Sequence, residues 1–311
     1  MKVFLALVVS AVAALAQSAQ HVYVVNKAGN AITILNASTL RVEHSIPVGN
    51  NPHELAVAPN GTKAYVPNAA GNSVSVISLT TNKEVKRIEH PEFNFAHGVA
   101  FTPDSKRALV TSERSRKIFV IDATTDQVLR VVETDQGGTH MAIVNKAGTM
   151  AYFTNREANT VSFMDLTNYR IIANVPVGSY SEGFTLSPDD KEIWVGNRND
   201  GTISVVDVAR RSAVATLPAG ANPIRMAFTT DGKHVLVPNG SQIDVYDVAA
   251  RKKIQSVAVG SNPGGIAMGP DGKHVYVSCQ GSGEAHVIDT QTWKVAGKVA
   301  VGGGPDGIAV H

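Results

Sequence analysis

The feature that constrains this chain most is a short apolar pattern that recurs seven times, at intervals of 40 to 44 residues. The copies are centred on Tyr23, Tyr65, Leu109, Tyr152, Trp194, Leu236 and Tyr276. Each repeat contains four short strand-like runs, separated by turn dipeptides such as Asn60-Gly61 and Asp231-Gly232. Four strands in a unit of about 42 residues are typical of a propeller blade. The repeats therefore predict an all-β, seven-bladed β-propeller that spans residues 17–311.

The two ends of the chain supply complementary parts of one blade. Residues 304–311 repeat the first strand of the seventh copy but stop before its second strand. Joining His311 to Gln17 restores the missing turn and leads into the run that begins at His21. An open array would leave two long strand edges unpaired. We therefore expect the N- and C-terminal segments to close the ring in one shared blade.

The N-terminal residues 1–16 have the pattern of a secretory signal peptide: Lys2, an apolar run, and an Ala-x-Ala site that ends at Ala16. The charge is balanced, with 28 Lys and Arg against 26 Asp and Glu, so no strong field exists to hold nucleic acid. Cys279 is the only cysteine, which excludes an intramolecular disulfide. The sequence predicts an exported monomer, periplasmic or extracellular, with no nucleic-acid partner and no membrane span.

The repeat cores resemble those of the YVTN-type β-propeller family over essentially the whole chain after residue 16. The resemblance is carried by the cores "YVVN" and "YVPN", by the loops "VGNNP", "VGSNP" and "VGGGP", and by third strands that contain "VID" or "VVD". It implies the seven-bladed fold. Similar propellers include surface-layer-like cell-surface proteins, lactonases and cofactor-bearing redox enzymes, so it leaves the function open. The third copy departs from the pattern, with "LVTS" as its core and "EFNFAHG" as its loop.

The first strand of each propeller blade lines the central channel, and its opening residue lies at the channel mouth. Alignment of the seven strands gives this position to Asp306, His53, His97, His140, Glu182, Ile224 and Gly264, in ring order. Imidazole and carboxylate together can bind one divalent transition metal, and they also serve general acid-base catalysis. We predict a metal site formed by His53, His97, His140, Glu182 and Asp306, with Glu182 or Asp306 as the candidate catalytic base.

Arginines accompany these residues on the same predicted face. Arg156 and Arg198 follow the second strands of the blades that carry His140 and Glu182, and Arg225 follows Ile224. Guanidinium groups in one mouth favour the carboxylate or phosphate of a small anionic molecule. A different column, which holds His21, His234 and His274 at the start of second strands, is interpreted as solvated strand ends on the opposite face.

Three functions stay open on these residues. The first is a binding module that takes a small ligand, a metal or a protein partner at the top-face mouth. The second is a lactonase-like, metal-assisted hydrolase in which the three histidines hold the ion. The third is a structural protein of the cell envelope or surface. Whether the imidazoles face the axis within reach of one ion distinguishes these possibilities.

Overall fold

Each sequence repeat folds into one four-stranded antiparallel sheet in the computed structural model, which describes residues 20–311. Seven such sheets and no helix make up this range. Consecutive inner strands contact one another all the way round, including the last against the first, so the sheets form a closed ring. The predicted seven-bladed propeller is confirmed. The described range contains no helix that is long and apolar enough to cross a membrane, and the predicted signal peptide, residues 1–16, lies outside it.

The strands, numbered in chain order, take four positions in the blades from the channel outwards. The inner strands are β4 (Ala56–Val57), β8 (Ala96–Phe101), β12 (Thr139–Val144), β16 (Ser181–Leu186), β20 (Ala227–Phe228), β24 (Pro263–Met268) and β28 (Pro305–Val310). The second strands are β1 (His21–Asn26), β5 (Lys63–Asn68), β9 (Arg107–Ser112), β13 (Met150–Asn155), β17 (Glu192–Asn197), β21 (His234–Asn239) and β25 (His274–Cys279). The third strands are β2 (Ala31–Asn36), β6 (Ser73–Ser78), β10 (Lys117–Asp122), β14 (Thr160–Asp165), β18 (Thr202–Asp207), β22 (Gln242–Asp247) and β26 (Glu284–Asp289). The outer strands are β3 (Val42–Pro47), β7 (Lys83–Glu89), β11 (Gln127–Glu133), β15 (Arg170–Pro176), β19 (Ser212–Pro218), β23 (Lys252–Ala258) and β27 (Lys294–Ala300).

Blade 1 joins the two ends of the chain, with the strand order β28–β1–β2–β3. Val22 lies opposite Val310 in this sheet. The backbone N–H of His21 donates to the carbonyl of His311 at 2.7 Å, and the N–H of His311 donates to the carbonyl of His21 at 3.0 Å. The predicted closure by a shared blade is confirmed. Blades 2 to 7 follow in chain order from β4 to β27.

The residue types that define the repeat have a structural reason. In four of the described blades the second strand ends in a buried asparagine whose amide donates to a hydroxyl on the third strand, as in Asn68 to Ser75 and Asn197 to Ser204, both at 2.9 Å. A buried amide without such a partner would destabilise the blade. The alternating apolar residues pack between blades, where Trp194 of blade 5 meets Phe228 of blade 6.

Bulges at the start of the inner strands direct side chains towards the channel axis. The pairing of β8, β12 and β16 with their second strands shifts register around His97, His140 and Glu182. Such a bulge reorients the side chain that it contains. Gly98 follows His97, and a Cβ there would lie 2.4 Å from the carbonyl oxygen of His140. Glycine therefore allows neighbouring inner strands to converge this closely.

Candidate functional site

The top face is the end of the channel at which the inner strands begin. In six of the seven described blades, the residue after the second strand donates its N–H to the carbonyl two residues before the channel-mouth residue. Arg156 donates in this way to Gly138 at 2.9 Å, and Arg198 donates to Tyr180 at 3.0 Å. This hydrogen bond fixes the two predicted columns side by side at one face.

The mouth of the channel holds a cavity of about 220 Å³. The predicted residues among its lining are His53, His97, Glu182, Asp306, Arg156, Arg198 and Arg225. His140 does not line the cavity, because its ring lies buried against that of His97, with 3.8 Å between the ring centroids. The structure therefore places seven of the eight predicted residues around one space and the eighth directly behind its wall.

The three predicted imidazoles lie side by side, with 48° between the planes of His53 and His97 and 31° between those of His97 and His140. The ring centroids of His53 and His97 are 4.7 Å apart, and His97 is only 2 % exposed. Burial holds the pKa of His97 well below its usual value, and the neighbouring His140 and His53 lower it further. Its Nδ1 atom has no hydrogen-bond partner among the described residues. His97 is therefore a neutral, desolvated ring at the centre of the mouth.

A first charged network, the His140 cluster, consists of Glu113, His140, Arg156, Glu182 and Arg198. His140 Nδ1 lies 2.9 Å from Glu113 Oε2, and its Nε2 lies 3.4 Å from Glu182 Oε1. Arg156 forms ion pairs with both carboxylates. Burial alone would raise the pKa of Glu182, but the hydrogen bond from His140 and the charges of Arg156 and Arg198 lower that pKa to about 2. Glu182 is therefore an anion at neutral pH.

A second network, the Arg225 cluster, consists of Lys27, His53, Glu54, Arg225 and Asp306. The Arg225 guanidinium of blade 6 reaches Glu54 of blade 2, with Nε 2.8 Å from Oε1, and Asp306 of blade 1 at 3.1 Å. Burial raises the pKa of Glu54, whereas Arg225 and His53 outweigh burial at Asp306 and lower its pKa. Burial also lowers the pKa of His53, against the opposing effect of Asp306.

Four cations at the cavity differ in how exposed they are and in how closely a carboxylate pairs with them. The side chains of Arg156 and Arg225 are 16 % and 13 % exposed, and each forms ion pairs with two buried carboxylates. Arg198 is 44 % exposed, and its nearest carboxylate, that of Glu182, lies 3.7 Å away. Lys27 is 30 % exposed and lies 3.9 Å from Asp306. Arg198 and Lys27 are therefore the cations that a ligand can reach.

Sequence reasoning missed four residues that shape this mouth, namely Lys27, Glu54, Phe95 and Glu113. Lys27 and Glu113 occupy the same repeat position as Arg156 and Arg198. Selecting every charged residue at that position, and not only the arginines, would have found them. Glu54 directly follows His53. Phe95 stands in the loop of the third copy, which departs most from the family pattern, and this departure was its only signal.

The predicted metal ligands lie close together, but their nitrogens face different partners. Both nitrogens of His140 face carboxylates, and His53 Nε2 lies 3.0 Å from the side-chain oxygen of Asn51. Within residues 20–311, no three His, Cys, Asp or Glu side chains are arranged around a possible ion. The metal site that includes His53, His97, His140, Glu182 and Asp306 stays a prediction, and a metal titration can test it.

Comparison with known proteins places the chain among propellers. A family model described as YNCE-like beta-propeller matches residues 3–311. A functionally unknown protein from Desulfotomaculum acetoxidans DSM 771 has a TM-score of 0.81 at 16 % identity, covering 93 % of this chain and 98 % of its own. Dihydro-heme d1 dehydrogenase NirN, in complex with DHE, has a TM-score of 0.69 at 17 % identity, over 91 % of this chain and 64 % of NirN. No curated protein matches the chain. At these identities, the two structures support the fold alone.

Proposed function

The chain belongs to the YNCE-like β-propeller family, and we propose that it is a binding module that takes a small anionic molecule at the top-face mouth of its channel. The observation that carries this proposal is Arg198, which lines the cavity, is 44 % exposed and has its nearest carboxylate 3.7 Å away. A guanidinium in this setting can form paired hydrogen bonds with a carboxylate or phosphate. Lys27 adds a second accessible positive charge in the same cavity.

Two further features of the mouth support binding of a small ligand. The His140 cluster and the Arg225 cluster hold the walls in place before a ligand arrives, so little side-chain ordering opposes association. The cavity of about 220 Å³ has room for roughly seven water molecules. A compact molecule with one or two acidic groups fits this space.

The hydrolase hypothesis requires a general base in the same mouth. Glu182, with a pKa of about 2 and three cationic or imidazole partners, is a poor base near neutral pH. Asp306 has a lowered pKa for a similar reason. The two candidate bases are therefore ill suited to accept a proton near neutral pH, which supports binding over hydrolysis. A protein partner at the top face and a structural role in the envelope stay as predictions, and a failure to bind any small anion would favour them.

Isothermal titration calorimetry with succinate and with inorganic phosphate tests the proposal. We expect at least one of the two to bind the wild type and Arg198→Gln to weaken that binding about tenfold, because a charged hydrogen-bond donor is lost. The matched control is Arg210→Gln, since Arg210 is an exposed arginine beside Asp207 in the turn after β18, at the opposite face. Undiminished binding by Arg198→Gln, or no binding by the wild type, would contradict the proposal.

We also propose that the protein is exported. The support is the arrangement of Lys2, an apolar run and Ala16 in residues 1–16. Mass spectrometry of the protein recovered outside the cytoplasm should give a chain that begins at Gln17. A mature protein that retains Met1 would contradict this proposal.

A further inference from the structure

Large apolar side chains in a left-handed backbone conformation separate into two groups. Within residues 20–311, the residues concerned are Leu40, Phe95, Tyr169, Tyr180 and Trp293, with φ between 53° and 66°. This conformation is unfavourable for bulky residues, so it persists where other interactions compensate. Leu40, Tyr169 and Trp293 pack against buried hydrophobic clusters. Phe95 and Tyr180 belong to none of the clusters in the described part of the chain.

Phe95 faces the mouth of the channel. Its ring is half-buried and lines the same cavity as Arg198. The ring is nearly parallel to that of His97, with 13° between the planes and 6.1 Å between the centroids, and the guanidinium of Arg114 lies 4.5 Å from its centroid. Phe95 and Ile224 are the large apolar side chains among the described residues that line this cavity, and the Phe95 ring lies nearly parallel to that of His97.

The backbone of Phe95 is fixed from both sides. Its N–H donates to Asn72 Oδ1 at 2.8 Å, and its carbonyl accepts from the N–H of Glu113 at 3.0 Å. These hydrogen bonds from blades 2 and 3 compensate the left-handed conformation and fix the backbone from which the ring extends to the mouth. A phenylalanine that is held rigidly outside the hydrophobic clusters is preorganised to contact a ligand.

We infer that the anionic ligand carries a planar ring and that Phe95 stacks on this ring while Arg198 binds its carboxylate. This inference rests on the proposed anion-binding function and specifies the class of ligand as a single-ring aromatic acid. The ring quadrupole of Phe95 favours an aromatic partner over a saturated ring of equal carbon number. A cavity of about 220 Å³ suits one ring with its carboxylate.

The test compares an acid that has a planar aromatic ring with an acid that has a saturated ring. Benzoate and cyclohexanecarboxylate have the same charge and the same number of carbons, and their affinities can be measured by calorimetry or by ligand-observed NMR. We expect the wild type to bind benzoate about three- to tenfold more tightly. Phe95→Leu should remove this preference, whereas Phe95→Tyr should keep it because the ring is retained.

Two further variants separate this inference from the proposed function. Arg198→Gln should weaken both probes by the same factor, since both carry the carboxylate. Tyr169→Leu changes an aromatic residue with the same left-handed conformation and with two arginines over its ring, but at the opposite face, and should change neither affinity. Equal affinity for the two acids, weakened by Arg198→Gln, would keep the anion site and overturn the planar ring. Binding of neither acid would overturn the planar ring, and the succinate and phosphate titrations would then decide separately whether the anion site exists.

Discussion

Two sets of three histidines in this propeller show how position in the blade decides chemistry. His53, His97 and His140 lie at the mouth ends of consecutive inner strands and are buried side by side, with ring centroids 4.7 and 3.8 Å apart. The other set, His21, His234 and His274, begins second strands and is half-buried. Each of these pairs locally: His21 with Glu43 at 2.9 Å, His274 with Asp271, and His234 against Trp293.

The difference follows from the geometry of the ring rather than from residue type. Inner strands converge at the axis, so a histidine there meets its neighbours and loses water. Second strands lie farther out, so each histidine keeps a local partner and contact with solvent. The burial of His97 lowers its pKa for this reason. The contrast between the two sets of histidines requires that the ring be closed and that nearby charged side chains stabilise the inner residues. It also requires that the buried histidines differ from the outer ones in their chemistry.

The largest expected effect comes from opening the ring. Deletion of residues 304–311 removes β28 and leaves the inner edge of β1 unpaired, so the inner histidines lose the support of a closed ring. We expect aggregation, or a fall in melting temperature of about 10 °C or more. Thermal unfolding with light scattering measures both. His311→Ala is the control, because it keeps the backbone pairing with His21, and a deletion that melts like this control would refute the dependence on closure.

A smaller loss of stability is expected when the carboxylate of Glu182, which lies beside the inner histidines, is neutralised. The pKa of Glu182 is lowered from 4.5 to about 2 in the folded chain, so its contribution to stability is present above pH 4.5 and is lost as the pH falls towards 2. Glu182→Gln should therefore lower the free energy of unfolding at pH 7 by on the order of 3 kcal/mol. Urea unfolding at pH 7, 5, 4 and 3 should show the difference from wild type shrinking.

The matched variant for that experiment is Glu43→Gln, which removes the carboxylate partner of His21 in the outer set. Exposed pairs of this kind contribute less than about 1 kcal/mol. Equal losses in the two variants, or a loss at Glu182 that does not depend on pH, would show that convergence at the axis does not strengthen these interactions.

Much of this contrast could be predicted from the sequence. The tyrosine, tryptophan or leucine that centres each repeat fixes the phase of every strand. Counting along the chain therefore places His53, His97 and His140 at one mouth and His234 at the other face. The closure at His311 followed from the same counting. These predictions depend on the period of the repeat and on strand order, which are properties of the backbone.

The ion pairs could not be predicted, because they depend on side-chain directions that bulges change. Arg225 reaches Glu54 and Asp306 on other blades, a contact between residues 171 and 81 positions apart that no repeat alignment indicates. Glu113 and Glu182 both form ion pairs with Arg156, so its charge is neutralised within the protein and is not free for a ligand. The sequence predicted one role, ligand binding, for Arg156, Arg198 and Arg225. Burial makes them different, because Arg156 and Arg225 are paired with the protein's own carboxylates and Arg198 is exposed.

The metal hypothesis sharpens the comparison between the two histidine sets. If His53, His97 and His140 hold one divalent ion, His97→Ala should lower its affinity by about a hundredfold or more, while His234→Ala should leave it unchanged. The ligands must be neutral, and burial lowers the pKa values of His53 and His97, so protonation of these two rings should weaken affinity only at a pH below the usual range of histidine. Calorimetric titrations with zinc, manganese and copper give the comparison. Equal binding by all three proteins, or none by any, would remove the metal site.

The smallest effect concerns the titration of His97 itself. Its folded pKa lies well below 6.5, so as the pH falls the unfolded chain takes up the proton first and the folded chain loses stability below about pH 6.5. His97→Phe keeps a flat ring beside Phe95 and His140 but cannot titrate. We expect this variant to reduce the loss of unfolding free energy between pH 6.5 and 5.5 by about 1 kcal/mol. Urea unfolding of the variant and the wild type at these two pH values measures the difference. If the His97→Phe chain loses as much stability on acidification as the wild type, then His97 is protonated in the folded mouth and its burial does not distinguish it from the outer histidines.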